Sequence, residues 1–212
     1  MSPRDPKRSA KVVHASENRS RAERGSLSRD QVIAAAIVAI DDGRYETMTI
    51  RSLASELGVA PMTLYRHIRN RDDLLDEVAD RLLAKCWRPR KNFLRWQDWM
   101  VDAAKRFRKL LVEQPAVLHV YLGHPVTTPA ALERMQAMLN VFHDAGFDDV
   151  VSERTYATLH TYTLGFAALE SSRLKWQTTN DIRDTTTRKL ATFTTTSQFV
   201  AGLEILLRGV AQ

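Results

Sequence analysis

Residues 49–75 carry the clearest structural pattern of the chain and read TIRSLASELGVAPMTLYRHIRNRDDLL. Apolar residues recur at i, i+3, i+4 and i+7 across 50–57, which is the spacing of one face of an α-helix. Thr49 can cap this helix with its hydroxyl, and Gly58 can end it in a left-handed conformation. Pro61 suits the first position of a second, short helix over about 61–68, because that position needs no N–H. Two short helices joined by a tight turn predict a helix-turn-helix.

Two further helices flank this pair. Ser28 and Gln31 form the S-x-x-Q pattern of a capping box, apolar residues then recur at helical spacing, and Gly43 ends the run. Asn70 can cap the helix that follows, whose first turn carries two aspartates beside the positive end of the helix dipole. We therefore expect an N-terminal three-helix helix-turn-helix domain, followed by a fourth helix, within residues 27–85.

The rest of the chain is expected to form longer helices. Helical patterns separated by prolines and a glycine lie near 96–113, 115–122, 127–145, 149–175 and 197–210. The threonine-rich stretch 177–197 favours a loop or a weak helix. Runs of β-branched residues between turn signals are missing, so the sequence predicts an all-α fold with a second helical domain over 90–212.

Composition and charge restrict the class of protein. The formal net charge is +6, which suits a polyanionic partner. Residues 1–26 are polar and basic, and we expect a disordered arm there, with an arm that contacts DNA as the alternative.

Cys86 is the only cysteine, so no intrachain disulfide can form. Because the sequence has no signal-peptide pattern and no apolar run long enough to span a bilayer, we expect a soluble cytoplasmic protein without membrane contact.

The outer face of the second helix of the pair is the candidate surface for DNA. In a helix-turn-helix this helix lies in the major groove, where its outer side chains reach base edges. The run Leu64-Tyr65-x-His67-Ile68-x-Asn70-Arg71-x-x-Leu74, within residues 28–85, resembles the signature of the TetR family of bacterial transcriptional repressors. The resemblance implies a ligand-responsive repressor that binds a pseudo-palindromic operator of double-stranded DNA as a homodimer.

The resemblance also assigns roles to single residues of this surface. Arg51 matches a position that reaches a base, where a guanidinium can bind both acceptors of a guanine. Thr63, Tyr65 and His67 match positions that contact phosphate and set the register on the duplex. Arg71 stands where the family often has lysine, beside the N-terminus of the fourth helix, and is expected to bind a phosphate there.

Three residues of the surface depart from the family pattern. Pro61 and Met62 stand at base-reading positions, and Pro61 has no N–H to donate, so contact with a thymine methyl and a different operator sequence are expected. Arg66 replaces an aromatic residue. It is expected either to contact a base or phosphate or to be an ordinary exposed arginine.

The second helical domain is expected to pair two copies of the chain. The resemblance implies a four-helix interface made by the helix near 149–175 and the last helix. The apolar stripes of these two helices supply the candidates Tyr162, Phe166, Leu169, Phe199, Leu203, Leu206 and Leu207. The alternative is that both stripes fill the chain's own core.

A looser resemblance, to the tetracycline-binding members of the family, covers residues 115–172. It rests on Tyr121-Leu-Gly-His-Pro125, Ala145-Gly-Phe147 and Thr163-Leu-Gly-Phe-Ala-Ala-Leu-Glu170. Tyr121 stands where those members have a histidine that ligates the drug-bound magnesium, and a phenol is a poor magnesium ligand. Met138 stands where they have a polar amide. We therefore expect that magnesium-tetracycline is not the effector.

The expected pocket is instead apolar with a few polar tips, which suits a small hydrophobic or aromatic effector. The candidate lining residues, each of which could otherwise be ordinary core, are Phe107, Tyr121, Met135, Met138, Phe142, Tyr156 and His160.

The sequence also argues against an enzyme. The histidines show no metal-ligand spacing, and no motif for a catalytic serine, a phosphate or a dinucleotide is present. We therefore expect no catalytic residues, no cofactor and no metal site. Two alternatives to a ligand-responsive repressor stay open, namely a DNA-binding regulator without a small-molecule ligand and an activator.

Overall fold

A computed structural model of the protein describes residues 27–84, 95–179, 189 and 192–210. Its helices are α1 Arg29–Asp41, α2 Ile50–Glu56, α3 Pro61–Tyr65, α4 Arg71–Ala84, α5 Trp96–Glu113, α6 Pro115–Gly123, α7 Pro129–Asp144, α8 Asp149–Thr179 and α9 Thr196–Val210, with a 3₁₀ turn at Thr192–Thr194. These ranges contain no strand, which confirms the all-α prediction, and none of their helices is long and apolar enough to cross a membrane. The expected arm, Cys86 and most of the threonine-rich stretch lie outside the described residues.

The predicted starts of the first two helices are confirmed. The N–H of Gln31 donates to Ser28 Oγ at 3.2 Å, and Gln31 Oε1 accepts from the N–H of Ser28 at 2.8 Å. At α2, the N–H of Ser52 donates to Thr49 Oγ1 at 3.0 Å. Each cap gives a partner to N–H groups that a helix leaves free in its first turn.

The helix α3 ends earlier than expected. It covers Pro61–Tyr65, whereas the sequence predicts a helix over about 61–68. The N–H groups of His67 and Ile68 both donate to the Leu64 carbonyl, at 2.8 and 2.9 Å. This shared carbonyl closes a turn, so the helical ladder does not continue.

We name residues 27–84 the head and the described part of residues 95–210 the body. One hydrophobic cluster contains residues of both parts. Leu53 and Leu64 of the head lie in the same cluster as Val117 and Val120 of α6, and none of the four is exposed to solvent. The short body helix α6 therefore completes the core of the head.

Each end of α6 is also bonded to a carboxylate of the head. The N–H of Ala116 donates to Asp41 Oδ1 at 2.8 Å. His124, which directly follows α6, has its Nε2 atom 3.0 Å from Asp76 Oδ1 on α4. These bonds fix the position of α6 between α1 and α4.

A second cluster packs α5, α7, α8 and α9 against one another and contains Met100, Phe142, Leu159, Phe199 and Leu203. Beside it a buried ion pair links α5 to α8. Arg108 donates from Nε and Nη2 to the two carboxylate oxygens of Glu170, at 2.7 and 2.6 Å, and from Nη1 to Thr196 Oγ1 at 3.2 Å. The pairing offsets part of the cost of removing both charges from water.

Candidate functional sites

The outer face of α3 is open to solvent, while its inner face is anchored in the core. Met62 is 71% exposed and Tyr65 45% exposed, and Pro61 is exposed beside them. Leu64 and Ile68 are buried on the opposite side. The backbone of α3 is therefore held by packing, and its outer side chains are free to meet another molecule.

The turn before α3 depends on Gly58. Its φ is +66°, a left-handed conformation that glycine adopts without steric cost. The N–H of Val59 donates to the Ala54 carbonyl at 3.0 Å and closes the turn. The angle between α2 and α3, and with it the direction of the exposed face, follows from this conformation.

Two arginines beside this face have no hydrogen-bond or acidic partner among the residues that the structure describes. Arg51 lies exposed in the first turn of α2, and Arg66 lies exposed directly after α3. Arg69 differs, because its Nη2 atom is 2.9 Å from Asp73 Oδ1. The guanidinium groups of Arg51 and Arg66 are therefore available to bases or phosphates.

The position of Arg71 differs from the expectation of a free phosphate ligand. Its Nη2 atom donates to the Tyr45 carbonyl at 2.6 Å, and its guanidinium carbon lies 4.8 Å from the centre of the Tyr45 ring. Arg71 is half-buried, as are Thr63 and His67. Arg71 therefore stabilises the joint between α4 and the segment before α2, and a phosphate contact through its other N–H groups stays a prediction.

The N-terminus of α4 already holds a carboxylate. The N–H of Asp73 donates to Asn70 Oδ1 at 2.8 Å, and Asp73 Oδ2 accepts from the N–H of Arg69 at 2.9 Å. Burial acts to raise the pKa of Asp73, but the backbone and side-chain hydrogen bonds from Arg69 outweigh burial and hold this pKa below its ordinary value. The carboxylate is therefore charged at neutral pH and competes with an incoming phosphate at this helix end.

A cavity of about 60 Å³ lies between α5, α6, α7 and α8. Leu83, from α4 of the head, also lines it. Six of the seven predicted pocket residues line this cavity, namely Phe107, Tyr121, Met135, Met138, Tyr156 and His160. The prediction for Phe142 is wrong: Phe142 is fully buried in the second cluster, where its ring meets Trp96 edge-on at 5.6 Å.

Three of the lining rings form a parallel stack. The His160 ring lies 5.4 Å from the Phe107 ring and 5.5 Å from the Tyr156 ring, with interplanar angles of 19° and 21°. The Tyr121 ring meets Phe107 at 70° and a centroid distance of 5.3 Å. Burial lowers the pKa of His160, so its imidazole is neutral at neutral pH. Burial also raises the pKa of Tyr121 and keeps its phenol protonated.

The sequence interpretation missed the two arginines of the cavity, Arg106 and Arg134. Arg106 is paired with Asp102 at 2.7 Å, whereas Arg134 Nη1 is buried without a hydrogen-bond partner. Helical spacing could have indicated Arg134, because residues three to four apart share a face and Arg134 lies four residues before Met138. The two charged side chains of the cavity lining are thus both basic.

The predicted dimer residues divide into buried and exposed sets. The prediction is wrong for Phe199, Leu203, Leu207 and Phe166, which are buried inside the chain's own second cluster. The alternative of an intrachain core describes these four residues. Tyr162 is half-buried, stacks on Phe199 at 5.4 Å and donates its hydroxyl to the Phe199 carbonyl at 3.1 Å. Leu206 is half-buried.

An exposed apolar surface nevertheless remains on the two helices. Leu169 of α8 is 57% exposed, and Ile205 of α9, which the sequence interpretation missed, is 63% exposed. These two residues lie outside the chain's own core and can pack against another molecule.

Two family descriptions match the sequence. The description "Bacterial regulatory proteins, tetR family" matches residues 32–78, and "Tetracyclin repressor-like, C-terminal domain" matches residues 88–212. Together they include the helix-turn-helix and the helices that enclose the cavity.

Individual proteins and solved structures are also similar to the chain. The chain is 32% identical to the tetracycline repressor protein class E of Escherichia coli, over 74% of this chain and 72% of that protein. It is 28% identical to the HTH-type transcriptional repressor DrrR1 of Streptomyces coeruleorubidus, over 70% of this chain and 55% of that protein. Among solved structures, BioQ with its double-stranded DNA operator has a TM-score of 0.67 at 27% identity, over 87% of this chain and 98% of that one.

Proposed function

Because the chain belongs to the TetR family of bacterial regulatory proteins, we propose that it is a ligand-responsive transcriptional repressor. It binds a pseudo-palindromic operator as a homodimer through the heads. It leaves the operator when a small hydrophobic or aromatic molecule occupies the cavity of the body. The observation that carries this proposal is the exposed face of α3, with the unpaired Arg51 and Arg66 beside it.

Direct base contacts are assigned to the first turns of α2 and α3. Arg51 is proposed to bind a guanine, since a guanidinium can reach O6 and N7 of that base together. Pro61 and Met62 are proposed to meet thymine methyl groups, because both present apolar surface at the start of α3. These three residues would set the operator sequence.

Contacts with the DNA backbone are assigned to the remaining residues of the surface. Thr63, Tyr65, His67 and Arg66 are proposed to contact phosphates and to fix the register on the duplex. A contact by Arg71 would use the N–H groups that Tyr45 leaves free. Such contacts make the affinity depend on salt concentration.

Pairing of two chains is assigned to the exposed parts of α8 and α9. A single head presents a five-residue recognition helix, so two heads one helical turn apart are needed for tight, specific binding. Leu169 and Ile205 support this interface because large exposed apolar side chains on neighbouring helices favour association. The likeness to BioQ, which has been solved with its double-stranded DNA operator, supports the same mode of binding.

The cavity is proposed as the effector site, and its lining argues against magnesium-tetracycline. Tyr121 presents a protonated phenol, and magnesium prefers carboxylates, carbonyls and water. A ligand in this cavity contacts Leu83 of α4 as well as the body, so it can bias the position of the head. Release from DNA requires that the effector binds the non-DNA-binding arrangement more tightly.

Selection of bound duplexes from random DNA by the full-length chain tests the proposal. The expected product is a pseudo-palindrome with half-sites about one helical turn apart. Met62→Glu, on the outer face of α3, is expected to abolish binding, because it would replace the apolar contact with thymine methyl groups by a carboxylate in the negatively charged major groove. Leu132→Glu is the matched control, since Leu132 of α7 is also exposed but lies in the body. Binding without sequence preference, or equal loss in both variants, would overturn the proposal.

A further inference from the structure

The charge inside the cavity indicates more than a hydrophobic effector. Three basic side chains line it, Arg106, Arg134 and His160, and no carboxylate is among the described residues that do. The charge of Arg106 is balanced by Asp102, and His160 is neutral at neutral pH. The guanidinium of Arg134 is therefore the one charge of this lining without a compensating partner.

From this imbalance we infer that the effector is a planar aromatic anion, whose rings extend the Phe107–His160–Tyr156 stack and whose acidic group binds Arg134. This inference rests on the proposed function in one respect, namely that the cavity is the effector site. It adds the chemical class of the effector to that proposal.

The surroundings of Arg134 show that an acceptor is lacking. Its Nη1 atom is buried and has no hydrogen-bond partner, which is costly for a charged donor. The buried Arg108 has a full set of partners in Glu170 and Thr196. Arg173 Nη1 also lacks a partner, but Arg173 is not among the residues that line the cavity.

The nearby acid does not serve Arg134. Asp80 is close enough to act on Tyr121 through its charge, as Arg134 does with the opposite sign. Asp80, however, accepts a hydrogen bond from the Thr128 hydroxyl, and the buried Nη1 atom of Arg134 has no hydrogen-bond partner. Arg134 and Tyr121 line the same cavity, which thus offers a ligand oxyanion a charged donor and a neutral one.

The rest of the cavity suits a flat ring system. The His160 ring is nearly parallel to the rings of Phe107 and Tyr156, so the planes of the three rings share nearly one orientation. Aromatic rings add favourably to such arrays in offset or edge-on geometry. Met135 and Met138 come from the same helix as Arg134, and their unbranched side chains can adjust to the outline of a ring.

A pair of fluorescent probes separates the contribution of charge from that of the rings. 1-Anilinonaphthalene-8-sulfonate carries an anionic sulfonate, and N-phenyl-1-naphthylamine has the same ring system without it. We expect the dissociation constant of the full-length chain for the sulfonate to be lower than that for the neutral probe by about tenfold or more. The reason is that only the sulfonate gives the charged donor, Arg134, an acceptor. Arg134→Gln is expected to bring the two dissociation constants to within about twofold.

Two further variants locate the effect. Arg173→Gln changes another arginine with an unpartnered Nη1, one that does not line the cavity, and is expected to keep the preference for the sulfonate. His160→Ala is expected to weaken both probes equally, because it interrupts the stack. Circular dichroism and operator binding check that each variant is folded.

Three results would overturn the inference: a preference for the sulfonate that persists in Arg134→Gln, affinities that His160→Ala leaves unchanged, or a chain that binds neither probe. Operator selection by the same sample keeps the two proposals distinguishable. A chain that binds its operator but neither probe retains the proposed DNA function and refutes the aromatic anion. A chain that shows the expected probe affinities without operator binding supports the site and refutes the repressor.

Discussion

Gly123 and Tyr45 touch across the boundary between body and head, such that a Cβ on Gly123 would lie 2.5 Å from Tyr45 Oη and 2.7 Å from its Cε1. Tyr45 is buried, and its ring carries the guanidinium of Arg71 on one face. The last turn of α6 can therefore approach this joint only because residue 123 has no side chain.

Gly123→Ala is expected to destabilise the fold by about 1–3 kcal/mol, as overpacking does in a core that cannot expand freely. Urea unfolding followed by circular dichroism measures the change. Gly209→Ala is the control, because nothing lies within 4 Å of its added Cβ and alanine is the better helix former. Equal unfolding midpoints for Gly123→Ala and the unaltered chain would contradict the contact.

Glu170→Ala is expected to lower the free energy of unfolding by about 3–5 kcal/mol, since it leaves the buried Arg108 charge uncompensated, with only the neutral Thr196 hydroxyl as acceptor. A double variant, Arg108→Met with Glu170→Met, removes both charges and is expected to recover most of this loss. Calorimetry or urea unfolding of the two variants provides the comparison. A double variant that is less stable than Glu170→Ala would show that the pair itself is a net source of stability.

Arg51→Ala is expected to relax the sequence preference at one base pair of each half-site, a loss of about 1–3 kcal/mol of discrimination. Arg66→Ala, if Arg66 contacts phosphate, is expected to weaken binding to all duplexes and to reduce the salt dependence of the affinity. Titrations of operator and single-base variants at several salt concentrations measure both effects. An unaltered preference in Arg51→Ala would refute the assignment of a base contact.

The stability of the protein is expected to depend on pH through His160. Because burial lowers the pKa of His160 in the folded chain, the unfolded chain binds its proton at a higher pH. The neutral ring thus favours folding above about pH 6.5, the ordinary value, and this contribution is lost as the pH falls towards the lower folded pKa. His160→Gln should lose less stability than the unaltered chain between pH 7.5 and pH 5, as measured by urea unfolding. An equal loss of stability in the variant and in the unaltered chain over this pH range would exclude the effect.

Leu169→Lys is expected to shift the chain from dimer towards monomer, because it places a charge on the exposed apolar surface of α8. Leu132→Lys changes a similarly exposed leucine on α7 and is expected to leave the association unchanged. Sedimentation equilibrium at micromolar concentration distinguishes the two. A monomeric unaltered chain, or equal effects of both variants, would rule out pairing through α8.

Local signals in the sequence predicted most of the secondary structure. The cap at Ser28 and the glycine at 58 act through neighbours within four residues, so their effect is visible in a short window. The position of Arg71 was not predictable in this way, because its partner Tyr45 lies 26 residues earlier in the chain. A residue type suited to phosphate is equally suited to an aromatic ring and a carbonyl.

The apolar stripe of α9 shows a second limit. Its spacing indicates correctly that Phe199, Leu203 and Leu207 face apolar surroundings, but the same spacing serves an intrachain core or an interface between chains. The cavity was easier to predict residue by residue, since large apolar side chains and rings with polar tips are the types that line such a pocket, and six of the seven candidates do line it. Its unpaired charge was missed because pairing is a property of the folded arrangement.

The shared core around α6 has a consequence for protein engineering. A fragment that ends at residue 84 would lack Val117 and Val120, and would expose to water the apolar side chains of α1 and α4 against which α6 packs. Such a fragment is expected to aggregate or to lose its fixed tertiary structure when produced alone. Chimeric regulators that graft this recognition surface onto another sensor should therefore carry Pro115–Gly123 along with the graft, even though that segment lies beyond the motif being transplanted.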